Sequence, residues 1–142
     1  LAIYSLANRT TNTTTNNAAI ELIAGATHRY RLLETGVFGA AATASVFAFG
    51  RPAAIGVTPT TPILLLAEET ADAAPECKTA LAWGTSPTPP TAAMRRINLP
   101  ATIGAGIILT FPRGISVAVN GTLVHENVGT TGVQDIYFVA DE

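Results

Sequence analysis

Apolar and polar positions alternate with a period of two along most of this chain. Ile20, Leu22 and Ala24 share one side of AAIELIAG. Tyr30 and Leu32 alternate with Arg29 and Arg31 in THRYRLLETGVF. Phe47 and Phe49 align in ASVFAFG, and Thr79, Leu81 and Trp83 align in CKTALAWG. PILLLAEE, MRRINL, GIILTF, ISVAVNG, TLVHEN and QDIYFVA continue the series. The clearest alternation sets Ile115, Val117 and Val119 against Ser116, Ala118 and Asn120. Successive side chains of a strand point to opposite faces, so this pattern predicts about ten short, half-buried strands.

The punctuation between the runs agrees. Asn120-Gly121 sits between two apolar runs and predicts a two-residue hairpin. Gly36, Gly39, Gly50, Gly56 and Gly84 mark other breaks, and the prolines fall mostly between the runs, where they cost no ladder hydrogen bond. GTSPTPPTAA, residues 84–93, predicts an extended crossing long enough to pass between sheets. AEETADAAPECK, residues 67–78, predicts a single helical turn with Thr70 as its N-cap. FGAAATAS is too short and too interrupted for a helix. At the start, a brief apolar run at residues 3–7 leads into NRTTNTTTNN, whose Thr and Asn side chains compete for backbone hydrogen bonds and offer little to bury. The fold class expected is therefore all-β: an antiparallel β-sandwich or jelly roll of about eight to ten strands over residues 18–142. Residues 1–17 are expected to form a strand and an extended, Thr/Asn-rich N-terminal arm.

Composition narrows the function classes. The 142 residues are 48% hydrophobic and only 13% charged, with a net charge of −2, against a usual charged share of about 25%. One domain with a sizeable core is expected, with some surface covered by partners rather than water. The arginines and the single lysine are scattered and outnumbered by acids, so no basic stripe for nucleic acid is visible. No apolar run approaches the ~20 residues of a membrane-spanning helix. LAIYSLANRTTN lacks a basic stretch ahead of an apolar core, so a signal peptide is not expected there. Cys77 is the only cysteine and has no partner for an intrachain disulfide.

No catalytic signature survives inspection. NLPATIGAGIILTFPRGI looks at first like a phosphate-cradling loop. However, Gly104 and Gly106 are followed by no lysine, and the last position of a dinucleotide fingerprint is Leu109. The stretch is expected to be a strand entered through glycines, with Phe111-Pro112-Arg113-Gly114 turning the chain toward the next strand. His125-Glu126-Asn127 begins like a zinc-helix motif, but the position needing a second histidine is Gly129, so His125, near the end of a strand, is expected at the surface or rim. Cys77 lacks the electropositive surroundings of a nucleophile. Glu68, Glu69, Asp72 and Glu76 are expected to form a solvated acidic loop. Neither an enzyme nor a cofactor or metal protein is expected. Asn8, Asn12 and Asn120 each begin a glycosylation sequon, which a Thr- and Asn-rich composition produces by chance.

What remains is contact chemistry. The arm is suited to docking across a seam between subunits, which nominates Arg9, Thr10, Asn12 and Thr14 as inter-subunit contacts. Trp83 is a candidate interface anchor or a platform for sugar. Arg95 and Arg96, on opposite faces of one strand, are candidates for a salt-bridged subunit contact.

Four phrases, ATHRYRLLETGVFGAAATASVFAFGRPAA, AWGTSPTPP, RRINLPATIGAGIILTFPRGISV and LVHENVG…DIYFVADE, together resemble small structural proteins of tailed bacteriophages and prophages. The resemblance covers about residue 18 to the end and supplies no site motif. It implies a β-rich virion component and leaves open capsid surface, neck or tail; taken with the composition, the strand pattern and the missing catalytic signals, the leading expectation is a capsid decoration (cement) protein. Such a protein would be made in the host cytoplasm and bind the major capsid protein or another virion protein at the particle surface. It would be a homo-oligomer, with a trimer as the expectation. The alternative is a fibre, tail or neck module binding host-surface glycan through Trp83, Tyr30 and Tyr137.

Overall fold

A computed structural model describes residues 2–142. In chain order the strands are β1 (Ile3–Arg9), β2 (Asn17–Ile23), β3 (Tyr30–Gly39), β4 (Ser45–Gly50), β5 (Val57–Pro59), β6 (Ile63–Leu64) and β7 (Leu66–Ala67). They continue with β8 (Lys78–Ala80), β9 (Trp83–Thr85), β10 (Arg95–Leu99), β11 (Gly106–Val117), β12 (Thr122–Asn127) and β13 (Gln134–Asp141). A five-stranded sheet runs β11-β3-β13-β1-β7, a six-stranded sheet runs β10-β4-β12-β2-β8-β6, and β5 and β9 form a two-stranded ribbon. Neighbours are antiparallel throughout.

The two large sheets face one another around one core. Tyr30, Leu32, Val37, Ile136, Phe138 and Ala140 come from one side, and Ile20, Leu22, Phe47, Phe49, Ile97 and Leu123 from the other, all buried. The alternation that predicted these strands is the alternation that fills the core, which is why Phe47 and Phe49 share a face as expected. Polar ties also cross the gap between sheets: Tyr30 Oη donates to the Leu22 carbonyl (3.0 Å), and Thr79 Oγ1 donates to Asn8 Oδ1 (2.9 Å).

One long side of the sandwich is closed by the chain itself. β6 pairs with β8 in the six-stranded sheet and β7 pairs with β1 in the five-stranded sheet. Leu65, between them, is buried. PILLLAEE is thus no single strand but a seam two residues wide on each sheet.

The six-stranded sheet has a partial third layer. The connection from β4 to β6 and the one from β9 to β10 both cross its outer face, held together by β5–β9 pairing and by an Ala54–Thr88 bridge. Beneath them Ala18, Glu21, Ala48, Val124 and Glu126 are all buried. The Pro-rich crossing of residues 84–93 passes from one sheet to another as expected, from the β5–β9 ribbon to β10 of the six-stranded sheet, and it does so across that sheet's outer face.

Several expectations are corrected. Ile3–Arg9 is an interior strand, paired with β13 along its whole length, so the predicted arm does not extend from the body. Residues 10–16 fold back onto it: the amide of Thr10 donates to the Gln134 carbonyl (2.8 Å), and that of Asn16 donates to the Asn127 carbonyl (2.6 Å). The predicted turn at Phe111–Gly114 is a bulge, and β11 continues through it to Val117. Gly114 takes φ +67° there, with the Arg31 stem packed where a Cβ would lie. Val119 lies beyond the strand end and is exposed. No helical turn forms at Thr70; a reverse turn closes from the Asp72 amide to the Glu69 carbonyl (3.0 Å).

Asn120-Gly121 is a turn but not a hairpin. A two-residue hairpin of that sequence needs positive φ at both residues. Only Asn120 has it, at 59°, and the turn carries the chain from the five-stranded sheet to the six-stranded one. The Asn120 amide donates to the Gly25 carbonyl (2.9 Å), and Gly121 accepts from the Ala24 amide (2.9 Å). Asn tolerates the left-handed region where Ala pays a steric penalty. Asn120→Ala should therefore lower unfolding free energy by about 1 kcal/mol and Asn120→Gly should leave it nearly unchanged, read from urea midpoints.

Candidate interaction surface

The polar groups that sequence reasoning placed at the surface divide into buried and exposed sets. His125, expected at a strand rim, sits at the centre of the core. Its ring lies 4.8 Å from Phe49, 5.8 Å from Phe138 and 6.2 Å from Phe47, centroid to centroid. Nε2 shares a hydrogen bond with Thr35 Oγ1 (3.1 Å), and Nδ1 has no partner. Burial pushes its pKa down to about 3, so the ring is neutral and acts as a core aromatic. Its neighbour Glu126 points to the opposite face, under the third layer, with both carboxylate oxygens unpartnered. Burial first, and then the charge of Glu21, raise its pKa to about 8, so it is held as the neutral acid near neutral pH.

Glu21 fastens the covering layer. It accepts from Trp83 Nε1 (2.9 Å) and from the Gly56 amide (3.1 Å), while Ser86 Oγ accepts from the Ala18 amide (3.1 Å). Trp83→Phe leaves a buried acceptor short of a donor. That should cost on the order of 1–3 kcal/mol in urea unfolding, and an unchanged midpoint would contradict the fastening role.

The nominated contact residues do not converge. Thr10 is buried, and its Oγ1 accepts from the Gln134 amide (2.9 Å), so it cannot reach a neighbouring subunit. Asn12 donates to the Ala18 carbonyl (3.3 Å), and its own carbonyl and that of Thr14 accept from Asn127 Nδ2 (2.8 and 3.4 Å). Arg9 is exposed and makes a two-pronged pair with Asp135 (both 2.9 Å). Such a surface pair contributes little to stability. Arg95 and Arg96 do face opposite ways; the Arg95 guanidinium lies 5.6 Å from the Phe111 ring centroid. Trp83, by contrast, borders a shallow cleft of about 390 Å³ with Thr11, Asn12, Asn17 and Ser86. Tyr30 is core and unavailable to a glycan, and Tyr137 Oη donates to Glu34 (2.7 Å).

Other candidate chemistry resolves into structure. Burial pushes the Cys77 thiol up to about 12, so the thiolate is absent at neutral pH. Glu76, placed by sequence in a solvated acidic loop, accepts from the Thr27 hydroxyl and amide and from the His28 amide. These bonds hold its pKa near 2. Glu142 accepts from the Glu76 and Cys77 amides (both 2.8 Å), tying down the last residue. Among the described residues no three His, Cys, Asp or Glu side chains gather as a metal site.

Among the described residues, six of the nine exposed large apolar side chains stand at the two long edges of the sandwich, while Ile55 and Val57 lie in the covering connection and Val119 lies beyond the end of β11. Ile63, Leu64 and Leu66 stand on the closed edge. Ile103, Ile107 and Ile108 stand on the opposite, open edge, where Ile103 is 68% exposed at the tip of the loop before β11. That tip is where the glycine-rich stretch lands. The Ala105 amide donates to the Thr102 carbonyl (3.1 Å) and Gly104 takes φ +86°, a turn position only glycine fills easily. No protein-family model, curated protein or solved structure matches the chain.

Proposed function

We propose that this chain is a structural component of a phage virion, most directly a capsid decoration (cement) protein that binds the outer face of the shell. The observation that carries the reading is the pair of exposed apolar edges on opposite sides of a charge-poor sandwich. A subunit in a surface lattice needs contact areas facing different neighbours, and scattered single apolar residues would not provide them. The phrase resemblance to tailed-phage structural proteins supports the same role. So does the use of the buried polar groups as internal fasteners, which leaves the shape rigid and the surface to do the work.

The glycan-binding alternative has one observation in its favour, the Trp83 cleft with its asparagines. The indole N–H there is already committed to Glu21, which leaves only the ring face for a sugar.

The test is reconstitution. Purified chain is mixed with phage shells stripped of accessory proteins and sedimented. Saturable binding at a fixed ratio to the shell protein is expected, weakened at least tenfold by Leu66→Lys. Failure to sediment with shells, together with retention on a glycan array that Trp83→Ala abolishes, would favour the alternative.

A further inference from the structure

A sandwich of two open sheets has four edges, and three of them are blunted here. β6 and β7 are two residues long. β10 carries Arg95, Arg96 and Asn98 and runs into Pro100. Short edges and charged edges both discourage pairing with another chain. The fourth edge, β11, is different. From Gly106 to Thr110 it reads Gly-Ile-Ile-Leu-Thr, with no charge and no proline before Pro112.

The direction of its free backbone groups follows from the ladder. The Gly39 amide donates to the Ala105 carbonyl (2.8 Å), and the β11–β3 register sets Ile107 opposite Val37 and Leu109 opposite Thr35. Hydrogen-bonded pairs alternate with non-bonded ones in an antiparallel ladder. Residues 105, 107 and 109 therefore bond to β3, and the N–H and C=O groups of Gly106, Ile108 and Thr110 point away from the sheet. Beyond the bulge the edge is already engaged, since Arg51 Nη2 donates to the Ser116 carbonyl (2.9 Å).

The side chains tell the same story. Ile107 faces the same way as the fully buried Val37, yet it is 39% exposed, because nothing closes the sandwich on this side. Ile108, on the other face, is 53% exposed.

We propose that Gly106–Thr110 is a self-association edge, which pairs antiparallel with the same segment of a second copy of this chain about a two-fold axis at Ile108. The occupant follows from the edge's symmetry. With the axis at Ile108, the outward-pointing groups meet outward-pointing groups: Ile108 bonds its own counterpart, and Gly106 bonds Thr110 of the second copy, for about six N–H···O bonds. The small Gly106 faces Thr110, so no pair clashes. Ile107 comes opposite Leu109 of the second copy and closes the open side. The absence of charge removes any need for a partner of complementary sign. A two-fold contact of this kind is isologous and self-limiting. It also differs from the three-fold arrangement expected from the sequence. The inference does not depend on the virion reading, because it concerns the chain alone in solution.

The test uses the full chain without shells. Sedimentation equilibrium should give a mass twice 14.6 kDa at micromolar concentrations. Ile108→Lys sets two ammonium groups against each other at the axis and should weaken association at least 100-fold. Leu64→Lys, on the opposite edge, should leave it unchanged. In the wild-type chain, amide exchange at Gly106, Ile108 and Thr110 should be slow and should quicken on dilution through the dissociation range, while Ile107 and Leu109 stay protected throughout. This second readout stands even if a lysine variant fails to fold. A monomer at 100 µM, fast exchange at the three outward amides under all conditions, or dissociation by Leu64→Lys but not by Ile108→Lys would each overturn the proposal.

Discussion

Lowering the pH from 7 to 3 should remove about 4 to 5 kcal/mol of stability through His125 alone. An unfolded histidine titrates near 6.5, whereas in the fold this ring is walled in by Phe47, Phe49 and Phe138 and its pKa falls to about 3. Between those values the unfolded chain binds a proton that the folded chain refuses, so stability falls as pH falls. The contribution is complete above pH 6.5 and has been lost by pH 3; each pH unit between is worth about 1.4 kcal/mol. The paired substitution Thr35→Val with His125→Leu removes both the titrating ring and the hydroxyl that it would orphan. Its urea unfolding free energy should vary with pH by about 4 kcal/mol less than that of the wild type over this range. An acid limb of unchanged slope would show that the ring reaches solvent.

Glu126 produces the opposite limb. Its folded pKa, about 8, stands above the unfolded value near 4.5. The folded state here holds the extra proton, so stability is greatest below pH 4.5 as far as this group is concerned and declines as pH rises to 8. Glu126→Gln cannot ionise. It should raise stability at pH 9 by on the order of 3 kcal/mol relative to wild type, with little difference at pH 5. The two limbs nearly cancel between pH 4.5 and 6.5, so maximal stability is expected across that interval. Glu76, held near pKa 2 by its bonds to the Thr27–His28 turn, adds a further loss at low pH, beginning as pH falls below about 4.5. If Glu126→Gln is no more stable than wild type at pH 9, the carboxyl is solvated and the third layer does not seal the face.

These two residues also mark where sequence reading runs out. Period-two alternation located the strands because a half-buried strand must repeat every two residues, and Ile20, Leu22, Phe47 and Phe49 are buried as that rule requires. In β12 the same rule gave the wrong meaning to His125. A histidine at an inward position reads as polar, and nothing local reveals three phenylalanines brought from β4 and β13. Glu21 and Glu126 occupy the outward positions of their strands, where solvent is the ordinary expectation. They are buried because connections more than thirty residues away in sequence, around Gly56 and Trp83, lie across the sheet. The Pro-rich run showed that an extended crossing existed but carried no sign of the surface it would cover.

Topology was hidden for a related reason. Asn120-Gly121 is a strong local turn signal, yet whether a turn joins neighbours in one sheet or passes between sheets depends on distant partners. Here Gly25 is the residue that receives the turn. The Thr/Asn-rich stretch looked like a free arm because its composition lacks apolar surface. It is ordered by backbone and threonine hydroxyl bonds to Asn127, Gly129 and Gln134, which composition does not report. The apolar edges were visible as residues but not as edges, since only the sheet order shows that Ile63 and Leu66 lie across the sandwich from Ile107 and Ile108.

The most direct test of the proposed structural role is a reconstruction of any phage particles produced from the genome that carries this chain, combined with a protein count of the purified particles. Density for the sandwich on the outer face of the shell, at a fixed ratio to the shell protein and with one apolar edge against it, is the expected result. Particles that lack the chain, or that carry it only as a few copies at a fibre tip, would contradict it.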